Sequence, residues 1–530
     1  MFTATQLATW TSARWTLLPA DGVLLAGFST DTRTLRPGEI FVALRTPQRD
    51  GHDYLAAARA AGAPAALVAS PSGDPALAGF PQLVVSDPLA AFQTIAREHR
   101  RAFRRPVVGI TGSAGKTSTK NLLTLLLSAD PGDVLSTEGN LNNHLGVPLT
   151  LTRLDPARHR FAVVEAGISA PGEMAALAAM IEPDVAIITL VAPAHLEALR
   201  DLETIAREKS VLFNTLRPGG LALRGPGVPP APLAHATFHT PATTAVSIDA
   251  SVYELPRVTD GMAQNAALAI RAALHLGISP ADIRSRLTRW QPVPLRGEWQ
   301  QLPVPANPAV SRPVYLDCYN ANPASMLDAL ATFAATAAPA DAPRLYLVGG
   351  MEELGPGSAR HHEALGRALA AHLRPQDHLV AIGPHAETVA RAASPALPPP
   401  PFRFPHPRPS RLRRRPVRAR HRRPPCHAFR PGLRQGQPPP RARAPRFPCP
   451  HSQPVQNALI SRRLPPPPDA QLSRQFRRPF RPAPPPALHL LPHPDGGGHG
   501  DGDRLHHRPL ADKKTPRSQI RAALRRRPHR

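Results

Sequence analysis

The block that most constrains this chain begins at Val107-Val108-Gly109-Ile110, turns through Thr111-Gly112-Ser113-Ala114-Gly115-Lys116-Thr117 and continues into a helical stretch from Thr117 to Leu127. An apolar strand that turns on glycines into a helix leaves backbone N–H groups and a helix N-terminus facing one point, the geometry that wraps phosphate oxygens. The loop predicts ATP binding through Gly112, Ser113, Ala114, Gly115, Lys116, Thr117 and Ser118. The Lys116 ammonium is expected to neutralise the β and γ phosphates, and the Thr117 hydroxyl to hold Mg²⁺. The general phosphate-loop pattern asks for glycine where Ile110 stands.

Around this block the pattern is that of an α/β protein. Short apolar runs at Phe161–Val164 and Val185–Leu190 alternate with helical segments, which predicts a parallel sheet covered on both faces. Upstream, Ile40–Leu44 and Ala65–Val68 read as strands flanking a helical stretch from Tyr54 to Ala61, and a linking helix ends near Arg105-Pro106. Downstream, a further unit opens at Arg296-Gly297, with strands at Val314–Leu316, Leu345–Val348 and Val380–Gly383, and dissolves into proline after about Ser394. The expected organisation is an N-terminal α/β unit over 1–105, a central ATP-binding domain over 106–295, a partial third domain over 296–394 and a basic tail over 395–530.

Charge divides the chain at the same place. From Pro401 onward there are 31 basic and 5 acidic residues, leaving 33 of each before it, so the net charge of +26 belongs to the end. That end has no Glu, Tyr or Trp and long runs of Pro and Arg, a composition that cannot bury enough apolar surface to offset chain entropy, and disorder is expected there. A polyanion-binding tail is one reading of it. Against that reading, Phe is its only aromatic residue apart from His, and the neutral first 400 residues disfavour a nucleic-acid-binding protein. The three cysteines, Cys318, Cys426 and Cys449, have no metal-type spacing and fit a reducing cytoplasm. No signal peptide and no membrane span are expected, since Met1–Ala20 lacks a basic flank and eighteen apolar residues never run together.

Several blocks resemble the Mur ligases. Thr-Gly-Ser-x-Gly-Lys-Thr is the variant loop that this family and the related folylpolyglutamate synthases carry, and Thr137–Pro148 is similar to the segment that follows it. Asp317–Met326 is close to a block of the D-alanyl-D-alanine-adding branch, and Val348–Gly355, His362 and Gly366 continue the register. The resemblance spans roughly residues 25 to 390. It implies a three-domain fold, ATP and Mg²⁺ as cofactors, and formation of an amide through an acyl phosphate. The substrates it implies are UDP-N-acetylmuramoyl-tripeptide and D-alanyl-D-alanine, handled by a monomer. It makes Glu165 and His195 magnesium ligands with Thr117, and matches Lys209 to a lysine that the family carbamylates. It places Asn265, opening a helix to Leu276, against adenine, Arg296 at a hinge that reaches ATP, and Asn320, Asn322 and Ser325 in the cleft. Asp31-Thr32-Arg33 and Gly51-His52-Asp53 look like the elements that hold the UDP-sugar. Taken singly, His195 reads equally as a cap or core histidine, Lys209 as a solvated helical lysine, and the asparagines as caps. Many members have Asp where Gly350 stands and Asn-His where Ser169-Ala170 stand.

The Pro, Arg, Ala and His excess of the tail is also what GC-rich DNA encodes out of frame. With suitable codons, a one-base shift turns Leu433–Pro439 into Phe-Val-Lys-Gly-Ser-Arg, a motif of the family's third domain. The same shift at Asp495–Leu505 can give a segment resembling a translocase whose gene often follows that of the ligase this chain resembles, so a frameshift near Ser394 is the preferred account of the tail.

Overall fold

The computed structural model describes residues 1–304, 307–336 and 342–394. The readings of 395–530 as disordered, polyanion-binding or out of frame lie outside the described residues. The observed class is α/β, as the sequence patterns predict, and its elements follow one another in three successive groups.

In the first unit, Gly27–Ser29, Glu39–Val42, Ala66–Val68 and Gln82–Val84 form a parallel sheet, to which Arg14–Trp15 adds an antiparallel edge. The helical stretch expected from Tyr54 to Ala61 is found as helix Leu55–Ala60, preceded by a 3₁₀ turn, Gly51–Tyr54. Asp50 starts that turn by accepting from the His52 N–H, so the turn begins where a capping carboxylate ends an extended segment.

The linking helix, Pro88–Ala102, starts on Asp87, whose carboxylate accepts from Leu89 and Ala90 N–H at 2.8 and 3.1 Å, with proline in its first turn. Its Arg100 is fully buried and donates to the carbonyls of Phe103, Ile181 and Glu182 and to Asp184 Oδ2. The same Asp184 oxygen accepts from Val107 N–H at 2.8 Å. One buried guanidinium therefore fixes where the first strand of the central unit begins.

That central sheet has five parallel strands in the spatial order Leu221–Arg224, Val185–Ile188, Val107–Thr111, Phe161–Glu165, Val134–Ser136. Val107–Thr111 sits in the middle with strands that follow it in sequence on both sides, so connections leave it in opposite directions and open a crevice at its carboxyl end. Helix Lys116–Leu127 covers one face, burying Leu122, Leu123, Leu126 and Leu127, each worth about 1.5–3 kcal/mol on removal from water. It packs with helix Asp260–His275 and with a three-stranded antiparallel sheet over residues 236–256, which apolar runs alone did not reveal. Asn265 was expected to open a helix; Thr259 caps that helix instead, accepting from Met262 N–H at 2.9 Å, and Asn265 lies inside it. The earlier start arises because a hydroxyl cap, rather than the asparagine, meets the first free N–H groups.

The third unit begins with an antiparallel hairpin, Arg296–Val304 with Asn307–Asp317. It then places helix Pro323–Thr336 and the parallel pair Leu345–Val348 and His378–Ala381, with helices Ser358–His372 and Ala386–Ala393. Tyr346 is 5% exposed, while Leu345 and Leu347 are 62% and 66% exposed, so among the described residues this pair is covered on one face only. No helix among the described residues is long and apolar enough to cross a membrane.

Candidate functional site

The phosphate loop is held from behind. Ser113 N–H donates to Leu190 O at 2.8 Å, the Ser113 hydroxyl bonds the backbone of Ala192, and Thr189 Oγ1 donates to Ala114 O at 2.5 Å. Gly112 leaves no room for a Cβ beside the Thr189 hydroxyl. Gly115, at φ 81°, starts the helix without a side-chain cap, so the first-turn N–H groups from Lys116 through Ser118 face the crevice. Lys116 Nζ folds back onto Gly112 O at 2.8 Å. Burial, with Arg296 adding repulsion, lowers its basicity against the pull of Glu165.

At the neighbouring strand end, Glu165 is 1% exposed and accepts from Thr117 Oγ1 at 3.0 and 3.3 Å and from Asn142 Nδ2 at 2.8 Å. Lys120 Nζ stands 3.9 Å from the same carboxylate and donates to Thr137 O at 2.5 Å. Asn142, Lys120 and Thr137 have parts in this site that the sequence did not assign to them. Asn142 and Thr137 stood within a block already singled out, and Lys120 lies one helical turn beyond Lys116. Hard oxygen donors, a hydroxyl and a carboxylate, converge here, a donor set that suits Mg²⁺. Among the described residues no group of three or more His, Cys, Asp or Glu side chains forms a closed metal cage.

Lys209 is not a solvated lysine. On helix Leu202–Ser210 it is 1% exposed, and among the described residues it has no ion-pair partner. Burial, and then the charge of Lys116, push its amine down to about 7. His195 follows Val185–Ile188, and burial lowers its basicity; the Glu353 carboxylate opposes that by charge and hydrogen bond, while Lys116 and Lys209 add to it. Its Nδ1 meets the Glu353 carboxylate of the third unit. Asn265 is 8% exposed and its amide abuts Gly115, where an added Cβ would lie 2.5 Å from Oδ1. Arg296 lays its guanidinium 4.1 Å over the Tyr319 ring, and its buried Nε has no hydrogen-bond partner among the described residues, an orphan donor that suits an incoming anionic ligand.

The remaining candidates are less committed to the crevice. Asn320 Oδ1 accepts from Ala321 N–H at 2.9 Å, while Asn322 and Ser325 cap helix Pro323–Thr336 through Ser325 N–H to Asn322 Oδ1 at 3.0 Å. Asp31 ion-pairs with exposed Arg33 at 2.5 Å, and His52 is spent on structure, its Nε2 accepting from Ala69 N–H at 3.0 Å. Ser169 and Ala170 N–H both donate to Glu173. Gly350 has open space around it, its nearest would-be Cβ neighbour being His362 Nε2 at 3.8 Å.

Comparison with known proteins agrees with this geometry. The Mur ligase middle domain matches residues 110–224, and the Mur ligase glutamate ligase domain matches residues 307–406. The UDP-N-acetylmuramoyl-tripeptide–D-alanyl-D-alanine ligase of Escherichia coli is 32% identical over 403 residues, covering 70% of this chain and 84% of that protein. The ligase of the same name from Haemophilus influenzae is 30% identical over 380 residues, covering 67% and 80%. Among solved structures, MurF from Acinetobacter baumannii superposes with a TM-score of 0.65 at 29% identity, covering 75% of this chain and 89% of that one. With a phosphate loop at the switch point, the Thr117–Glu165 pair beside it and relatives matched over four fifths of their length, this chain belongs to the Mur ligase family.

Proposed function

We propose that this chain joins D-alanyl-D-alanine to UDP-N-acetylmuramoyl-tripeptide using ATP, in the making of peptidoglycan precursors. The observation that carries it is the meeting, at one edge of the central sheet, of the phosphate loop, the Thr117–Glu165 pair and a buried lysine of depressed basicity.

The chemistry follows from charge. A carboxylate is a poor electrophile, so the γ-phosphoryl of ATP passes to the terminal carboxylate of the tripeptide, giving an acyl phosphate and ADP. The dipeptide amine then attacks the acyl carbon, the C–N bond forms, inorganic phosphate leaves and the amine loses a proton. Two anions must meet in the first step, so cation placement and positioning supply the rate. Lys116 offsets phosphate charge, and the loop N–H groups hold the phosphate oxygens. Thr117, Glu165 and His195 would hold Mg²⁺, which when bound draws charge from the transferring phosphoryl. Lys209, with its amine near neutrality and dry surroundings, is suited to take up CO₂ as a carbamate and so present an anion where it had a cation. Asn265 beside Gly115 and Arg296 over Tyr319 would flank the nucleotide, and Asn320 lies next to that stacked pair.

A cytoplasmic monomer is the setting we propose, since the nucleotide-linked substrate is made where ATP is. We also propose that the tail from about Ser394 is a frameshifted continuation of the third domain. The test is pentapeptide product formed from ATP, UDP-N-acetylmuramoyl-tripeptide and D-alanyl-D-alanine, beside ATP hydrolysis with either the tripeptide or a polynucleotide. Stimulation by polynucleotide and not by tripeptide would overturn the ligase reading.

A further inference from the structure

The loop after Leu345–Val348 reaches the segment after Val185–Ile188 and touches it at three points. The Glu353 carboxylate engages His195 Nδ1, the Glu353 carbonyl accepts from Glu197 N–H at 3.2 Å, and a Cβ on Gly355 would lie 3.3 Å from Glu197 Cα. Leu196, between the two polar contacts, packs against the cores of both the central and the third unit. His195 and Glu353 both have left-handed backbones, at φ 52° and 59°, and neither is glycine. Such conformations persist where surrounding structure over-determines them, and they gather where geometry serves function.

A carboxylate on Nδ1 selects the tautomer that carries its proton there, turns the ring, and leaves the Nε2 lone pair free for a metal. We propose that Glu353 is a positioning residue that orients His195 toward Mg²⁺, so that the metal site is completed only when the third unit is docked on the central one. This rests on the reading of His195 as a metal-holding residue of the ligase. Glu353 touches neither the phosphate loop nor Glu165 among the described contacts, so its effect passes through the imidazole.

The experiment is Mn²⁺ binding to the 530-residue chain with ADP, followed by electron paramagnetic resonance without turnover. Wild type is compared with Glu353→Ala, Glu353→Gln, the length-matched Glu353→Met, and His195→Ala. Glu353→Ala and Glu353→Met are expected to weaken Mn²⁺ about 10- to 100-fold, the usual cost of removing a histidine's outer partner. Glu353→Gln, whose amide oxygen still accepts from Nδ1–H, is expected to recover most of that loss. Should Glu353→Ala fail to fold, the contrast between Met and Gln carries the test. Wild-type affinity in Glu353→Met beside weak binding in His195→Ala overturns the role of Glu353 alone. Wild-type affinity in His195→Ala overturns the metal assignment and this inference with it.

Discussion

Two lysines near one crevice have different surroundings, and the proposed mechanism gives them different tasks. Lys116 lies within reach of Glu165's field and against its own loop carbonyl, and in the proposed mechanism it acts as a cation. Lys116→Ala is therefore expected to lower ATP turnover by at least about 100-fold, the scale of losing one preorganised charge contact, with the circular dichroism spectrum unchanged. Near-normal turnover would remove the lysine from the mechanism. Among the described residues Lys209 has no carboxylate in ion-pair contact, and burial lowers its amine to about 7. Only the neutral amine takes up CO₂, and acid releases it, so ligation is expected to fall as pH drops through about 7 and to depend on bicarbonate. Lys209→Ala is expected to lose most activity and to regain part with a short carboxylic acid. Full activity of Lys209→Ala in CO₂-free buffer would show that no carbamate is needed.

At the scale of elements, helix Asp260–His275 links the third unit to the phosphate loop. Its N-terminus meets Asp328 of helix Pro323–Thr336, whose two carboxylate oxygens accept from Gly261 N–H at 3.2 Å, and its interior carries Asn265 against Gly115. Burial pushes the Asp328 carboxyl up, with the helix-end donors opposing it. Asp328→Ala strands the Gly261 donor, which costs about 1–3 kcal/mol when buried, and is expected to lower the midpoint of thermal unfolding. Asp328→Asn keeps an acceptor and is expected to lose less. Equal midpoints for wild type and Asp328→Ala, by calorimetry, would mean that this contact does not hold the helix. The same element explains a misreading of boundaries. Asn265 is polar in a run of alanines and suggests a cap, yet Thr259 and Asp328 satisfy the helix end one and a half turns earlier.

At the scale of the whole molecule, the central sheet has five parallel strands with helices on both faces, while the described third unit has a parallel pair whose Leu345 and Leu347 stay exposed. Parallel sheets are stable when covered on both sides. On the proposal of a frameshift near Ser394, the 530-residue chain is expected to bind nucleotide but to ligate far below a version whose frame is restored at that codon. Pentapeptide product formed by the two chains decides the matter, and equal rates would show that the tail as written serves the enzyme. The sequence by itself determined the α/β class, the phosphate loop and the family, because these are local: an apolar run, a glycine turn and a helix report themselves within about twenty residues. It also brought Thr117, Glu165, Lys209 and His195 to notice, though the uses of the last three came from resemblance. Tertiary structure alone decided which of them meet. Thr117 and Glu165 are 48 positions apart and His195 and Glu353 are 158 apart, and only the strand order and the docking of the third unit close those gaps. Whether Lys209 is a solvated ammonium or a buried amine is likewise a matter of what packs around it, since desolvation is a property of the fold and not of the residue.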